Sequence, residues 1–182
     1  KKSTTRYKEG FWVTTYFKLL SRSSSYFIDE AKNNRINQNI FKYYIISSLI
    51  HSWILLETYI NYISEILLNA KLTEFQKAIL EDKELKINDE GEILKITSHM
   101  PILIRTLFIL QYFSKTNIKK FKQNSIWRNI KNSEDLRNHF LHPKQFDVSR
   151  LTLDSAIKTR KNVVEFIKTV NKAVFNKYIN LN

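Results

Sequence analysis

The scarcity of glycine and proline constrains the fold of this chain more than any other feature. Only two of its 182 residues are glycine and two are proline. A β-rich protein of this size needs many tight turns, which depend on Gly, Pro, Asn and Asp for their backbone angles. The composition therefore predicts an all-α protein whose helices are joined by few connections, in one domain over residues 1–182.

The clearest predicted element is a long central helix over residues 37–69. Ile46, Ile50, Trp53 and Ile60 follow one helical row, and other apolar side chains flank it. At ~1.5 Å per residue, a helix of about 30 residues spans roughly 45 Å. We expect this helix to be largely buried and to form the backbone of an up-and-down bundle.

The segments around this helix predict shorter elements. Residues 1–36 predict one or two helices, because the serine-rich run over 21–25 is able to cap a second helix. A short, mostly exposed helix is expected over 71–85. Apolar residues then alternate around an Asn-Asp-Glu-Gly turn signal within 86–96, which predicts either a small β-hairpin or an irregular loop insertion.

Four helices are predicted in the C-terminal half. A proline suited to the first helical turn precedes an apolar helix over 102–113. A basic amphipathic helix follows over 117–131. The run Asn-Ser-Glu-Asp at 132–135 is a strong N-cap signal for a third, short helix, which Pro143 ends. The last helix is expected over 152–178, with Tyr178 at the end of its apolar stripe.

The charge distribution indicates a polyanionic partner. The formal net charge is +13, and residues 96–182 supply +11 of it with 16 basic and 5 acidic side chains. Nucleic acid is the first candidate, an acidic protein the second and a membrane surface the third. The solvated surface of an ordinary lysine-rich protein explains the same charge, so charge alone predicts neither a fold nor a reaction.

Composition excludes several classes of protein. The chain has no cysteine, so it has no disulfide framework or thiolate metal site, and we expect a reducing, cytoplasmic location. Two glycines cannot build a glycine-rich phosphate loop, and the four histidines lack metal-ligand spacing, so we expect neither metal nor cofactor. Polar residues interrupt the longest apolar stretch, over 43–56, and we expect no membrane partner.

One stretch combines residue types that carry chemistry. Residues 133–143 read Ser-Glu-Asp-Leu-Arg-Asn-His-Phe-Leu-His-Pro. Histidine serves as an acid or a base near neutral pH, and arginine offers phosphate oxygens a charged, bidentate fork. On a continuous helix Arg137 and His142 would lie about 140° apart around the axis and would not converge. Either the helix breaks near Leu141 or a second chain completes the site.

This stretch resembles the Arg-x(4–6)-His signature of HEPN domains. The shared pattern is Leu-Arg-Asn-x-x-x-His-Pro over 136–143, after an acidic cap, and residues 56–63 resemble the Glu-containing long helix of several HEPN families. HEPN domains are small and helical, and many are metal-independent ribonucleases of toxin–antitoxin and phage-defence systems. The resemblance implies an HEPN-like core over 38–178 with an N-terminal extension over 1–36.

The resemblance also implies a role for each residue of the signature. HEPN ribonucleases form twofold dimers in which the two motifs meet in one cleft. His142 would act as acid and base, Arg137 would clamp the phosphate, and Asn138 would orient the arginine or contact the phosphate. Glu57 and Asn61, one helical turn apart, would brace the motif from the long helix. His139, which is not at the signature position, would have a secondary role.

Basic side chains next to the motif are expected to bind RNA through its phosphates. They are Lys119, Lys120, Lys122, Arg128 and Lys131 before the motif and Lys144 within the segment that follows it. Phe121 and Trp127 are interleaved with these cations. We expect the two aromatic side chains to belong to the core rather than to stack on bases.

The sequence therefore predicts a homodimeric, metal-independent endoribonuclease that cleaves single-stranded RNA as a toxin or defence effector, with an antitoxin or defence protein as partner. A non-catalytic HEPN-like module that binds RNA, a nucleotide or a protein is the alternative. A structural helical domain is a third interpretation. There Arg137, Asn138 and His142 would form only a capping and salt-bridge cluster, with Glu134 or Asp135 as partners.

Overall fold

The computed structural model describes residues 3–141 and 148–181, with side chains for 15–141 and 149–181. This part of the chain contains seven α-helices and one two-stranded antiparallel sheet. The prediction of an all-α protein is confirmed at this level. None of the described helices is long and apolar enough to cross a membrane.

The elements follow in the order α1 (Ser3–Asn33), α2 (Gln38–Leu67), α3 (Glu74–Leu80), β1 (Lys83–Ile87), β2 (Ile93–Thr97), α4 (Ile102–Phe113), α5 (Ile118–Gln123), α6 (Ser125–Leu141) and α7 (Leu153–Phe175). A short 3-10 helix, Val148–Arg150, precedes α7.

Helix α2 is the long central helix that the periodicity predicts. The side chain of Asn37 caps its first turn by accepting a hydrogen bond from the backbone N–H of Ile40 at 3.2 Å. Trp53, Tyr59 and Ile63 are buried along its length, where α1 and α7 pack against it. Helix α2 thus forms the centre of the bundle, with α1 and α7 both packed against it.

The serine-rich run over 21–25 does not cap a second helix, and the expectation that it could is wrong. Ser21 and Ser24 are fully buried in the middle of a continuous α1. Ser48 of α2 donates a hydrogen bond to the carbonyl of Ser24 at 2.9 Å, and Arg160 of α7 donates to the Ser24 hydroxyl at 3.2 Å. These small side chains bring three helices together and satisfy one another's polar groups.

Helix α1 packs into the bundle along its described side chains. Phe17 and Leu20 join the larger apolar cluster, and Ile28 and Ala31 join a second, smaller one. We expected residues 1–36 to form an extension outside the core. From Phe17 onward, α1 instead contributes apolar side chains to the core.

Of the two alternatives for the segment near 86–96, the structure shows the hairpin. It is longer than the turn signal, because Lys83 already pairs with Thr97. In the turn, the side chain of Asn88 accepts backbone hydrogen bonds from Glu90 and Glu92, and Gly91 adopts a φ of 81°. That positive φ is one that glycine adopts without strain.

The predicted basic helix over 117–131 is two helices. Asn117 caps α5, and Asn124 then caps α6 by accepting a hydrogen bond from the backbone N–H of Trp127 at 2.8 Å. Asparagine competes with the helical backbone for hydrogen bonds, which is why a helix boundary falls at Asn124.

The N-cap signal at 132–135 is misleading, since α6 runs through it without a break. Ser133 and Glu134 are both buried, and Ser133 contacts α7. The Ser133 hydroxyl donates to the carbonyl of Asn129 at 3.1 Å and accepts from the amide of Asn162 at 2.9 Å. Tertiary hydrogen bonds have replaced the local cap, so Arg137 lies late on a long helix rather than early on a short one.

Helix α7 begins as predicted and ends earlier. Thr152 and Ser155 form a capping box at its start. At its end Asn176 adopts the left-handed conformation that terminates helices, and Tyr178 lies beyond it, 79% exposed. Tyr178 therefore does not extend the buried stripe of α7.

Candidate functional site

Arg137 of α6 contacts the central helix α2. Its Nη1 lies 3.2 Å from Oε1 of Glu57, and the two side chains form an ion pair. The side chain of Arg137 is 23% exposed and that of Glu57 is 48% exposed. The pair is thus reached by solvent, and the arginine is not sealed in the core.

Two further contacts fix the plane of the Arg137 guanidinium. Its Nε and Nη2 donate to Oδ1 of Asn138 at 3.2 and 3.1 Å. Its Cζ lies 4.7 Å from the ring centroid of Trp53, which is buried on α2. A guanidinium over an aromatic face is held by a cation–π attraction as well as by packing. Arg137 is therefore oriented before any ligand arrives.

A cavity of about 350 Å³ opens in front of Arg137. Glu57 and Asn61 line it from α2, and Arg137 lines it from α6. The rest of the lining comes from the base of the hairpin and the first turn of α4: Asp82, His99, Met100, Pro101, Ile102 and Arg105. Within the described residues, no three His, Asp or Glu side chains cluster as a metal site requires.

Asn61 contacts a second arginine rather than Arg137. Its Oδ1 accepts a hydrogen bond from Nη2 of Arg105 at 2.5 Å. Arg105 is the one charged residue of α4, and it is 6% exposed. Burial lowers the pKa of its guanidinium, although nearby Asp82 and Glu57 act in the opposite direction. Of the two residues expected to brace the motif, Glu57 reaches Arg137 and Asn61 reaches Arg105.

The base of the hairpin brings a histidine to the edge of this cavity. Asp82 and His99, one on each side of the hairpin, have φ angles of 57° and 50°. Residues other than glycine rarely adopt such backbone angles. The strain is tolerated only where other contacts hold the backbone in place. Here Asp82 accepts two backbone hydrogen bonds, from Ser98 at 3.1 Å and Met100 at 2.8 Å. His99 is thereby held at the rim, exposed to solvent.

Not every residue of the predicted site is in this cavity. His142 and Lys144 lie outside the described residues. His139 is on α6, but its Nδ1 lies 2.7 Å from the carbonyl oxygen of Asp135, and the side chain does not line the cavity. Arg137, Glu57 and Asn61 are the predicted residues that the structure brings together there.

The expected RNA-binding cations divide into two groups. Lys119, Lys120 and Lys122 on α5 and Arg128 on α6 are exposed. Lys131 instead forms an ion pair with the buried carboxylate of Glu134. Four of the five described cations are therefore exposed and available to bind a polyanion, and the fifth is paired with a glutamate of the same helix.

The interleaved aromatic side chains pack inward, as expected. Phe121 is buried, and the ring centroids of Phe121 and Trp127 lie 6.3 and 6.4 Å from that of Phe166. Neither ring is thus free to stack on bases without disturbing the core.

Sequence reasoning missed four side chains at the site: Trp53, Asp82, His99 and Arg105. Arg105 carried a usable signal, because a lone charge in an otherwise apolar helix must face a polar partner or a ligand. Trp53 belonged to the apolar stripe and looked like core. The positions of Asp82 and His99 depend on the left-handed turns at the hairpin base, which nothing in their local sequence indicates.

A larger cavity of about 700 Å³ lies between α6 and α7, and it is a weaker candidate. Two of its three cations are already matched by acids on α7, since Lys158 pairs with Asp154 at 2.6 Å and Lys161 pairs with Glu165 at 4.0 Å, and the third is Arg150. Exposed pairs of this kind are typical of a solvated helix surface.

A scan against known protein families, a search of curated proteins and a search of solved structures found no match for this chain. The resemblance of residues 133–143 to the HEPN signature therefore stays a prediction based on those residues.

Proposed function

We propose that this protein is a metal-independent endoribonuclease of HEPN-like type that cleaves single-stranded RNA at a homodimer cleft. We propose a biological role as a toxin or phage-defence effector in the cytoplasm, controlled by an antitoxin or another defence protein. The observation that carries the proposal is the state of Arg137: oriented by Asn138, Glu57 and Trp53, yet partly exposed at a cavity.

The chemistry assigned to the motif is transesterification within the RNA backbone. A base takes the proton of a ribose 2′-OH, whose oxygen attacks the adjacent phosphorus. An acid gives a proton to the leaving 5′-oxygen, and a cation stabilises the charge that grows on the phosphorane oxygens. The products are a 2′,3′-cyclic phosphate and a 5′-hydroxyl, so atoms and protons balance without a cofactor.

Arg137 is suited to the cationic role. Its guanidinium is permanently charged, and its planar fork matches two oxygens of a phosphate. Because its orientation is fixed in advance, little reorganisation is needed in the transition state, and that is the main source of electrostatic catalysis. Removing such a group typically lowers the rate by about 10²–10³.

His142 is proposed as the acid and the base. It follows directly on Leu141, the last residue of α6, and it is five positions after Arg137 in the sequence. Since one histidine cannot be both protonated and neutral, two chains would each supply one. A twofold dimer does this with identical surfaces, and it places two arginines around one phosphate.

Cleavage of a fluorescent single-stranded RNA in EDTA tests the proposal. We expect the wild type to cut, and Arg137→Ala and His142→Ala to cut at least about a hundredfold more slowly. Arg35→Ala is a control of the same residue type, since Arg35 is an exposed arginine between α1 and α2 to which the proposal gives no role. Circular dichroism spectra of all variants check the fold. Cleavage that survives both motif substitutions, or that stops only when EDTA is added, excludes this mechanism.

The alternative is a non-catalytic HEPN-like module that binds RNA through the same cations. The four exposed cations of α5 and α6 are consistent with it, since they provide binding without chemistry. A wild-type protein that binds RNA tightly and leaves it intact over many hours supports this alternative.

A further inference from the structure

Arg105 is a buried charge whose hydrogen bonds are incompletely satisfied. It is 94% covered by the protein, and it donates from Nη2 to the neutral amide oxygen of Asn61. Its Nε has no hydrogen-bond partner among the described residues. Burying a charge is unfavourable unless the charge is paired and its donors are used. Within the described part of the chain, no carboxylate is directly hydrogen-bonded to this guanidinium.

The two carboxylates that line the same cavity are engaged elsewhere. Oδ1 of Asp82 accepts the backbone N–H of Met100 at 2.8 Å, which stabilises the hairpin base. Oε1 of Glu57 accepts from Arg137 at 3.2 Å. Among the described residues, Arg105 forms no ion pair. Its charge thus faces a cavity that a second arginine, Arg137, also lines.

The backbone at the start of α4 adds positive potential to a cavity lined by two arginines and two carboxylates. Pro101 and Ile102, the N-cap and first residue of α4, belong to its lining. No side chain caps this helix start. The N-terminal end of a helix carries a partial positive charge and exposed N–H groups, which favour an anion nearby. Arg105 lies in the first turn of the same helix, so the side chain and the helix end point to the same kind of ligand.

We propose that this cavity is a phosphate-binding site built within a single chain, in which Arg105 and Arg137 hold the phosphate oxygens and His99 closes the rim. Two guanidinium forks suit the several oxygens of a tetrahedral phosphate better than they suit one flat carboxylate. The cavity volume of about 350 Å³ is at the lower end of ligand pockets, which span about 300–1,000 Å³. It is large enough for a phosphate group with part of an attached nucleoside.

Glu57 is the competitor of that phosphate. Its carboxylate contacts the Arg137 fork, and its side chain is half exposed. A phosphate that binds both arginines displaces it, while Asn138 and Trp53 still hold the plane of the Arg137 guanidinium. Glu57→Gln removes the competing charge and keeps an oxygen that accepts from Arg137. The substitution should therefore tighten phosphate binding, whereas loss of a purely structural brace would weaken it.

Titration of the full chain, followed by NMR or calorimetry, tests this site. The probes are inorganic phosphate and a thymidine trinucleotide, which has no 2′-OH and so cannot be cleaved by the proposed reaction. At constant ionic strength, we expect phosphate to bind and chloride not to compete. We expect Glu57→Gln to bind several-fold more tightly, and Arg105→Gln about tenfold or more weakly. His99→Gln should bind a few-fold more weakly, and Arg35→Gln should match the wild type.

The Glu57 and His99 variants keep the test decisive if Arg105→Gln does not fold, because both side chains are exposed or half exposed. Binding of phosphate without the trinucleotide assigns the site to free phosphate. Binding of both assigns it to a nucleic-acid backbone. The proposed site is overturned if neither the wild type nor Glu57→Gln binds phosphate. It is also overturned if Glu57→Gln and His99→Gln both bind phosphate with the wild-type affinity.

This inference extends the proposed function, with which it shares Arg137, and the two fail separately. RNA cleavage by a protein that binds no phosphate in this cavity leaves the ribonuclease in place and removes the second site. If the protein never cuts RNA but binds phosphate with an affinity that depends on Glu57 and His99, the phosphate site stands and the ribonuclease proposal fails.

Discussion

Arg137 on α6 and Glu57 on α2 lie 80 positions apart in the chain, and their side chains meet at 3.2 Å. The contact joins the motif to the central helix and helps to close the cavity between them. An ion pair as exposed as this one contributes little to stability, about 0–1 kcal/mol. Its effect is on orientation, so the predictions for this region concern function more than folding.

Asn138 is expected to act as a positioning residue for Arg137. It is half exposed and accepts two hydrogen bonds from the Arg137 guanidinium. In Asn138→Ala the fork loses this support, and we expect kcat to fall by about tenfold to a hundredfold with KM little changed. Steady-state cleavage kinetics measure this, and thermal unfolding shows whether stability is kept. A variant with unchanged kcat, or with KM alone increased, is inconsistent with that role.

The proposed homodimer cleft predicts how activity depends on subunit mixing. When wild type and His142→Ala are co-refolded in equal amounts, random pairing gives about one quarter of dimers with both histidines intact. If each reaction needs two histidines, the cleavage rate of the mixture falls to about one quarter of the rate of wild type at the same total protein concentration. A fall to one half shows instead that each chain acts alone. The oligomeric state from light scattering accompanies the measurement.

The exposed lysines of α5 should control affinity for RNA and its dependence on salt. We expect the double variant Lys119→Gln, Lys120→Gln to bind single-stranded RNA more weakly. The slope of log affinity against log salt should fall by about 0.7 for each RNA phosphate that the variant no longer neutralises. Lys158→Gln, Lys161→Gln is a matched control on α7, since its lysines already pair with acids. Equal reductions in affinity for both double variants show that net charge alone governs binding.

Tyr59 should be important for stability because it satisfies a buried polar group. Its hydroxyl donates to Oδ1 of Asn171 at 2.9 Å, and the amide of Asn171 donates to the carbonyl of Lys177 at 2.6 Å. Burial raises the pKa of Tyr59. Tyr59→Phe leaves a buried acceptor unpaired, which should lower the free energy of unfolding by about 1–3 kcal/mol.

Chemical denaturation measures this loss, with Tyr62→Phe as the control on the same helix. The hydroxyl of Tyr62 forms no hydrogen bond within the part of the chain that the structure describes, so its removal should change stability by less than about 0.5 kcal/mol. Similar losses of stability in the two variants contradict the assignment to Asn171.

The attachment of the hairpin should depend on pH. Hydrogen bonds from Lys77 and Lys95, with their positive charges, lower the pKa of Glu74 from 4.5 to about 2. Since the folded pKa is the lower one, the stabilisation is present above pH 4.5 and is lost as the pH falls toward 2. Lys95 belongs to β2, so protonation of Glu74 releases one link between the hairpin and α3.

Backbone NMR relaxation measures this release as greater mobility of residues 83–97 at pH 2 than at pH 5. Glu74→Gln should show that mobility already at pH 5. A hydrogen bond from Lys83 lowers the pKa of Glu81 as well, so protonation of Glu81 in acid weakens a second contact of the hairpin. A hairpin equally rigid at both pH values in both proteins contradicts this account of its attachment.

The long-range parts of the site were harder to predict than the helices. Helices α2 and α4 follow from apolar periodicity, which is a local property, and their predicted bounds agree closely with the structure. The cap predicted at Ser133 failed because Asn162, on a distant helix, binds the hydroxyl that would have capped. Local signals lose to tertiary contacts wherever a polar side chain finds a partner far along the chain.

The cavity itself shows the same limit. The spacing of Glu57 and Asn61 indicated a shared face on α2, and both do line the cavity. That Asn61 binds Arg105 rather than Arg137 depends on how α4 packs after the hairpin. No pattern within one helix contains that information, because three separate elements meet at this point.

The chemical identity of the RNA ends tests the central claim most directly. Products of a single-stranded RNA, cut in EDTA, are analysed by mass spectrometry for wild type and Arg137→Ala. We expect 2′,3′-cyclic phosphate and 5′-hydroxyl ends from the wild type, and at least about a hundredfold less product from the variant. Ends with 5′-phosphate and 3′-hydroxyl, or undiminished cleavage by Arg137→Ala, would contradict the proposal.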